Sequence, residues 1–107
     1  MIDLDHFKQI NDTWGHPAGD RVLQSVGEAL KNELRTTDMV GRIGGEEFMV
    51  ILPYTNGNSA IIVSEKIRKD MKRMIFTEDN ENFTITASIG IANVEASDTD
   101  SALMIFR

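Results

Sequence analysis

Met39-Val40-Gly41-Arg42-Ile43-Gly44-Gly45-Glu46-Glu47-Phe48-Met49-Val50-Ile51-Leu52 sets two short apolar runs on either side of a Gly-Gly pair. Glycine takes up the positive φ of a tight turn without a steric penalty, so the stretch reads as a hairpin with strands over 39–43 and 48–52. The second run is continuously apolar, the pattern of a strand covered on both faces. Two carboxylates, Glu46 and Glu47, are left at a turn with little side-chain bulk around it.

Outward from the hairpin, hydrophobic spacing supplies the rest. Upstream, residues 1–4 read as a strand. Phe7, Ile10 and Trp14 recur at helical spacing and predict a short helix over 5–12. Gly15, Pro17 and Gly19 punctuate the chain. A second helix is predicted over 20–34, with Leu23, Val26, Leu30 and Leu34 on one face and Asp20 where an N-cap would stand. Downstream, 53–58 reads as a loop. A third helix over 59–74 turns Val63, Ile67, Met71 and Met74 inward, and 78–82 reads as a polar turn. From 83 to 91, Phe83, Ile85, Ala87, Ile89 and Ile91 alternate with smaller or polar residues, the period of a half-buried strand. A last helix is expected to begin within 97–101 and run to Arg107. Helices mixed with a mostly antiparallel sheet give an α+β, two-layer domain.

Composition narrows the function classes. A chain of 107 residues, 41% hydrophobic and 26% charged, suits one soluble domain with one core. No apolar run approaches the roughly 20 residues of a membrane span, and no secretory leader opens the chain. There is no cysteine, which excludes disulfides and thiolate metal sites and is compatible with a cytoplasmic location. Membrane anchoring of a longer parent protein is left open. A net charge of −6 argues against non-specific nucleic-acid binding, where Lys and Arg must neutralise phosphates. If the ligand is nevertheless a phosphate compound, a carboxylate-held cation would bring the positive charge.

The residues that could do this are acidic. Asp3 lies inside the first strand, where a carboxylate is costly unless paired or metal-bound. If that strand lies beside the hairpin, Asp3 and Glu46 converge. Such hard oxygen ligands suit Mg²⁺ or Mn²⁺, two of which about 4 Å apart can activate a hydroxyl and stabilise a leaving phosphate oxygen. Taken singly, each of these residues also has a plain structural reading. Gly-Gly-Glu-Glu can be a soluble turn, Asp3 an edge charge, Asp20 a helix cap, Asn11 an exposed helix-end residue and His16 a loop residue.

Taken together they resemble a known family. Ile2-Asp3-Leu4-Asp5-His6-Phe7-Lys8-Gln9-Ile10-Asn11-Asp12, then Gly15-His16 with Gly19-Asp20, then Arg42-Ile43-Gly44-Gly45-Glu46-Glu47-Phe48, then Ala87-Ser88-Ile89-Gly90-Ile91-Ala92 resemble, in order and spacing, the signatures of GGDEF domains. The resemblance covers essentially 1–107. It implies a ferredoxin-like, palm-type nucleotidyl cyclase fold with a central sheet flanked by helices. It implies diguanylate cyclase activity, in which two GTP become cyclic di-GMP with release of two pyrophosphates. The active site would be shared across a homodimer and use two Mg²⁺ or Mn²⁺ ions.

It also implies residue roles. Asp3, Glu46, Glu47 and the Leu4 carbonyl would hold metal, with Glu46 or Glu47 assisting deprotonation of the 3′-hydroxyl. The Phe7 and Lys8 backbone would approach the triphosphate, and Asn11 and Asp20 would read guanine. Arg35-Thr36-Thr37-Asp38 has the form of the family's RxxD site, where cyclic di-GMP acts as feedback inhibitor, and five residues separate it from Gly44. The alternative is a silent GGDEF module that binds GTP or cyclic di-GMP as a sensor. Two family segments are not in this sequence, the helix before the first strand and most of the last helix with its triphosphate-binding Lys and Arg. Weak activity, or none, is therefore expected of 1–107 alone. Ile43 stands where the family usually has an aromatic.

Overall fold

The computed structural model describes residues 1–96 and 99–104. Its first half runs β1 (Ile2–Leu4), α1 (Phe7–Trp14), α2 (His16–Glu33), β2 (Met39–Arg42) and β3 (Glu47–Pro53). Then come α3 (Gly57–Lys72), β4 (Phe76–Glu78), β5 (Glu81–Phe83), β6 (Ala87–Ile89), β7 (Ala92–Ala96) and β8 (Thr99–Met104). The predicted hairpin is present as β2 and β3, paired antiparallel from Met39↔Ile51 to Arg42↔Phe48. β1 inserts between β3 and β6, antiparallel to both. The order β6-β1-β3-β2 is the ferredoxin-like arrangement, with α1 and α2 in the first crossover and α3 in the second.

Alternation along these strands sorts the two faces. Ile2, Leu4, Phe48, Val50, Leu52 and Ala87 are buried and form one core with Phe7 and Ile10 of α1, Val22, Leu23, Val26 and Leu30 of α2, and Ile67 and Met71 of α3. Burying a side chain of this size contributes about 1.5–3 kcal/mol. The residues between them, Asp3, Glu47, Met49 and Ser88, are more exposed and point to the opposite face. The sheet therefore has helices on one side, and the carboxylates of β1 and β3 stand on the other.

Local chemistry explains several boundaries. α2 begins four residues before the predicted Asp20. Gly15, with φ of 89°, is its N-cap and Pro17 lies in its first turn, where a missing N–H costs nothing. Asp20 is therefore inside the helix and is not its cap. Asn56 caps α3 by accepting a hydrogen bond from the Ser59 N–H at 2.8 Å. The polar turn at 78–82 closes a β4–β5 hairpin, since Asp79 and Asn80 both adopt positive φ, 51° and 63°. Phe83 stacks on Phe76 and on Trp14, fixing that hairpin to α1.

Two predicted elements differ. The strand expected over 83–91 is divided between β5 and β6, although its alternation holds, with Ile85 and Ala87 buried and Thr84, Thr86 and Ser88 exposed. The last helix, expected from 97–101 to Arg107, is overturned over Thr99–Met104, which is strand β8; 97–98 and 105–107 lie outside the described residues. The reason lies in β3. β1 is three residues long and covers that edge of β3 only at Glu47 and Phe48. The rest of the edge, from Val50 to Pro53, pairs with β8, and β7 pairs with β8 in turn. Unpaired strand edges recruit extended chain, whereas two turns of isolated helix seldom repay their nucleation. Among the described residues, no helix is long and apolar enough to cross a membrane.

Candidate active site

The Gly44-Gly45 turn brings the acidic residues together. Ile43 N–H donates to the Glu47 carbonyl at 3.0 Å, closing the β2–β3 turn, and Leu4 N–H donates to the Glu46 carbonyl at 3.3 Å. Asp3 and Glu47 are register partners across β1 and β3, and Asp3 faces Ser88 across β1 and β6. Side chains directly opposite in a sheet share a face. Burial raises the Asp3 carboxyl above the ordinary carboxylate range, and the neighbouring Glu46, Glu47 and Asp5 carboxylates push it the same way. Asp3 Oδ1 is buried without a hydrogen-bond partner. Among the described residues, no three His, Cys, Asp or Glu side chains are arranged so that they could hold a metal ion together. The chain thus gathers negative charge on one sheet face and leaves one buried oxygen unsatisfied. Hard oxygen donors, one of them orphaned, fit Mg²⁺ or Mn²⁺.

Asp5 has a different environment from Asp3. Its carboxylate accepts hydrogen bonds from Thr86 Oγ1 and Ser88 Oγ, both at 2.7 Å, and its N–H donates to the Thr86 carbonyl at 2.9 Å. It clamps the end of β1 to the β6 side of the sheet. Spacing alone gave no sign of these partners.

Beyond Asp5, His6 takes a left-handed conformation, φ 56°, and turns the chain into α1. The first intrahelical bonds run from the Gln9 and Ile10 N–H groups to the His6 carbonyl, so the Phe7 and Lys8 amides lie ahead of them. Such first-turn amides suit phosphate oxygens. The Phe7 ring is buried, so only its backbone is available for that contact.

Asn11 packs against Gly19, the residue before Asp20. A Cβ on Gly19 would overlap the Asn11 amide oxygen and lie 3.0 Å from Phe7 Cζ. Glycine is therefore required there for close packing of α1 on α2. Asp20, the next residue, is exposed and lines a cleft of about 640 Å³ with Leu23, Gln24, Arg42 and Phe48. This places the two expected base-reading residues on either side of one glycine.

Arg35 and Asp38 occupy a separate corner, at the turn between α2 and β2. The Asp38 carboxylate accepts from the Arg35 backbone N–H at 2.8 Å, from Nε at 3.1 Å and from Nη2 at 2.7 Å. Nη2 also reaches the Pro53 carbonyl at 3.0 Å and Thr55 Oγ1 at 2.9 Å. The hydrogen bond to Asp38 holds the guanidinium even more firmly protonated than usual. The Asp38 side chain is 3% exposed and that of Arg35 is 56%. Thr55, which the sequence did not single out, is buried.

Comparison with known proteins places the chain in a family. Residues 1–107 match the family described as "Diguanylate cyclase, GGDEF domain". Diguanylate cyclase A of Treponema denticola is 44% identical over 93 residues, which are 87% of this chain and 25% of that protein. Cyclic di-GMP phosphodiesterase NbdA of Pseudomonas aeruginosa is 41% identical, over 86% of this chain and 12% of its own length. The chain thus spans a quarter or less of these relatives. Among solved structures, the GGDEF domain of DgcB from Caulobacter crescentus in complex with c-di-GMP superimposes with a TM-score of 0.77 at 34% identity, covering 81% of this chain and 53% of that one.

Proposed function

Because the chain belongs to the GGDEF family of diguanylate cyclase domains, we propose that it condenses two GTP molecules into cyclic di-GMP across a homodimer. The observation that carries this reading is the row of opposed carboxylates on the open sheet face, with the Asp3 oxygen buried and unpaired among them. Asp3, Glu46, Glu47 and the Leu4 carbonyl would hold the ions. Bound there, Mg²⁺ or Mn²⁺ supplies neutralisation of the triphosphate and acidifies the attacking hydroxyl.

The chain's own groups account for the remaining steps. The Phe7 and Lys8 amides receive phosphate oxygens at the start of α1. Asp20 accepts from guanine N1–H and the N2 amino group, and Asn11 adds a contact at the same edge. Adenine offers no such donor pair, so the site selects GTP over ATP. Since Asp20 lies inside α2 and caps nothing, any change in base choice on its substitution reports recognition rather than a lost cap. Glu46 or Glu47 takes the 3′-hydroxyl proton. The 3′-oxygen of one nucleotide then bonds to the α-phosphorus of the other, and the bond to the β-phosphate breaks, releasing pyrophosphate. The symmetric step closes the ring. Arg35 and Asp38 form a second site, where product exchanges with their mutual hydrogen bonds and inhibits.

An intact Gly44–Phe48 hairpin favours catalysis over a silent sensor. The test is chromatographic detection of cyclic di-GMP and pyrophosphate from GTP and Mg²⁺ at high chain concentration, with Glu46→Gln alongside and calorimetry of GTP binding. Product from the parent and none from Glu46→Gln is expected. GTP binding without product in either, persisting when the chain is extended by the family's flanking helices, would favour the sensor.

A further inference from the structure

Among the described residues, four that are not glycine have positive φ. Asp79 and Asn80 form a hairpin turn and His6 opens α1. Tyr54 is the fourth, at φ 55°. A bulky side chain is unfavourable in this conformation, which here belongs to the turn that carries the chain from the end of β3 to the α3 cap at Asn56. The ring is also 75% exposed, the most exposed large hydrophobic side chain among the described residues. It lines a cleft of about 280 Å³ together with Arg35, Asp38, Thr55 and Val63. The left-handed backbone therefore holds an aromatic face at the rim of the cleft that contains the Arg35 guanidinium.

That guanidinium is aimed by its surroundings. Thr55 Oγ1 donates to the Pro53 carbonyl at 3.1 Å and accepts from Arg35 Nη2, while Asp38 holds Nε and Nη2. Among the described residues, Nη1 has no hydrogen-bond partner and is left to a ligand. One rigid cationic donor edge beside one exposed aromatic ring suits a planar base attached to a phosphate.

We propose that Tyr54 is the stacking platform for a guanine base of the cyclic dinucleotide bound at Arg35, with Thr55 positioning the arginine beneath it. This rests on the reading of Arg35 and Asp38 as the product site. A purine stacks on the phenol ring while Arg35 takes the base edge or the adjoining phosphate. Bases stack on any aromatic face, so the hydroxyl of Tyr54 is dispensable.

The experiment is calorimetric titration of the chain with cyclic di-GMP, with thermal melts of each variant. Tyr54→Phe should bind as the parent does, and Tyr54→Ala about tenfold more weakly. Tyr54→Gly separates stability from recognition. It removes the positive-φ penalty, so it should melt higher than Tyr54→Ala while binding no better than it. Proton resonances of the ring, assignable because the chain has one tyrosine, should move upfield on saturation. Arg35→Ala must lose binding for the site to stand. If Arg35→Ala binds like the parent, the product-site reading falls and Tyr54 with it. If Arg35→Ala loses binding but Tyr54→Ala keeps the parental Kd, the stacking role alone is overturned.

Discussion

The carboxylates of the β1–β3 face and the Arg35–Asp38 corner are both charged clusters at strand ends, and the chain treats them in opposite ways. At the first, Asp3 meets Glu46, Glu47 and Asp5, all of one sign, and a buried oxygen has no donor. At the second, one carboxylate meets one guanidinium, and donors from the arginine fill the carboxylate. The first cluster opposes the fold until a cation arrives. The second is satisfied by itself, and a ligand must displace or extend bonds already made. The difference separates two kinds of function, one that needs a charge from outside the protein and one that is ready without it. Asp5 bears on the same point, because Thr86 and Ser88 satisfy it only two residues from Asp3.

The largest effect should come from Asp3→Asn. It removes a charge that burial and three acidic neighbours disfavour, so the metal-free chain should melt higher than the parent. On the proposed reading, the same change removes a metal ligand. Turnover should fall by more than about 100-fold, since even the outer-shell partners of metal ligands can cost that much. Mg²⁺ should then give less thermal stabilisation than it gives the parent. Melts with and without Mg²⁺, beside a pyrophosphate assay, read all three. A variant that melts lower without metal, yet cycles GTP normally, would erase the contrast between the clusters.

Gly19→Ala has the next largest effect and involves no charge. The added methyl would collide with the Asn11 amide and press on Phe7 at 3.0 Å. Overpacking of this kind costs about 1–3 kcal/mol, which outweighs the helix preference for alanine of roughly 1 kcal/mol. The melting temperature should fall. GTP should bind about tenfold more weakly by calorimetry, the equivalent of one lost hydrogen bond to the base. Mg²⁺ stabilisation of the nucleotide-free chain should persist, because the β1–β3 carboxylates are elsewhere. Loss of that stabilisation as well would mean that the two parts of the site are not separable.

Much of this was legible in the sequence because it is local or periodic. Helical spacing placed Phe7 and Ile10, Val26 and Leu30, and Ile67 and Met71 in the core. Gly44-Gly45 gave the hairpin, and placing the first strand beside it brought Asp3 toward Glu46, whereas the register partner of Asp3 across β1 and β3 is Glu47. What was not legible depends on contacts between distant segments. The free stretch of the β3 edge made β8 a strand where a helix was expected. Asp5 is 81 and 83 residues from its two hydroxyl partners. Thr55 is 20 residues from Arg35, and no periodicity links them. The start of α2 was misplaced for a local reason. Gly15 and Pro17 read as punctuation after the first helix, but they also form the entry to the second.

Asp38→Asn should have the smallest effect on stability and tests the self-satisfied corner directly. The carboxylate is nearly buried, but its partner is more than half exposed, and ion pairs with an exposed member contribute little. The melting temperature should move by no more than about 2 °C. The geometry should change more than the stability. An asparagine has one acceptor oxygen where Arg35 now uses two, through its backbone N–H, Nε and Nη2. The amide nitrogen would place donors against donors, and the guanidinium would keep only Pro53 and Thr55 to direct it. Cyclic di-GMP should therefore bind severalfold more weakly in calorimetry although the fold is nearly as stable as before. Added salt should lower the variant's affinity more than the parent's if the Asp38 charge itself meets the ligand, since the parent's carboxylate repels the anionic ligand and screening offsets that repulsion. If salt affects both equally, Asp38 acts through Arg35, as a bracket for the cation rather than a contact for the base.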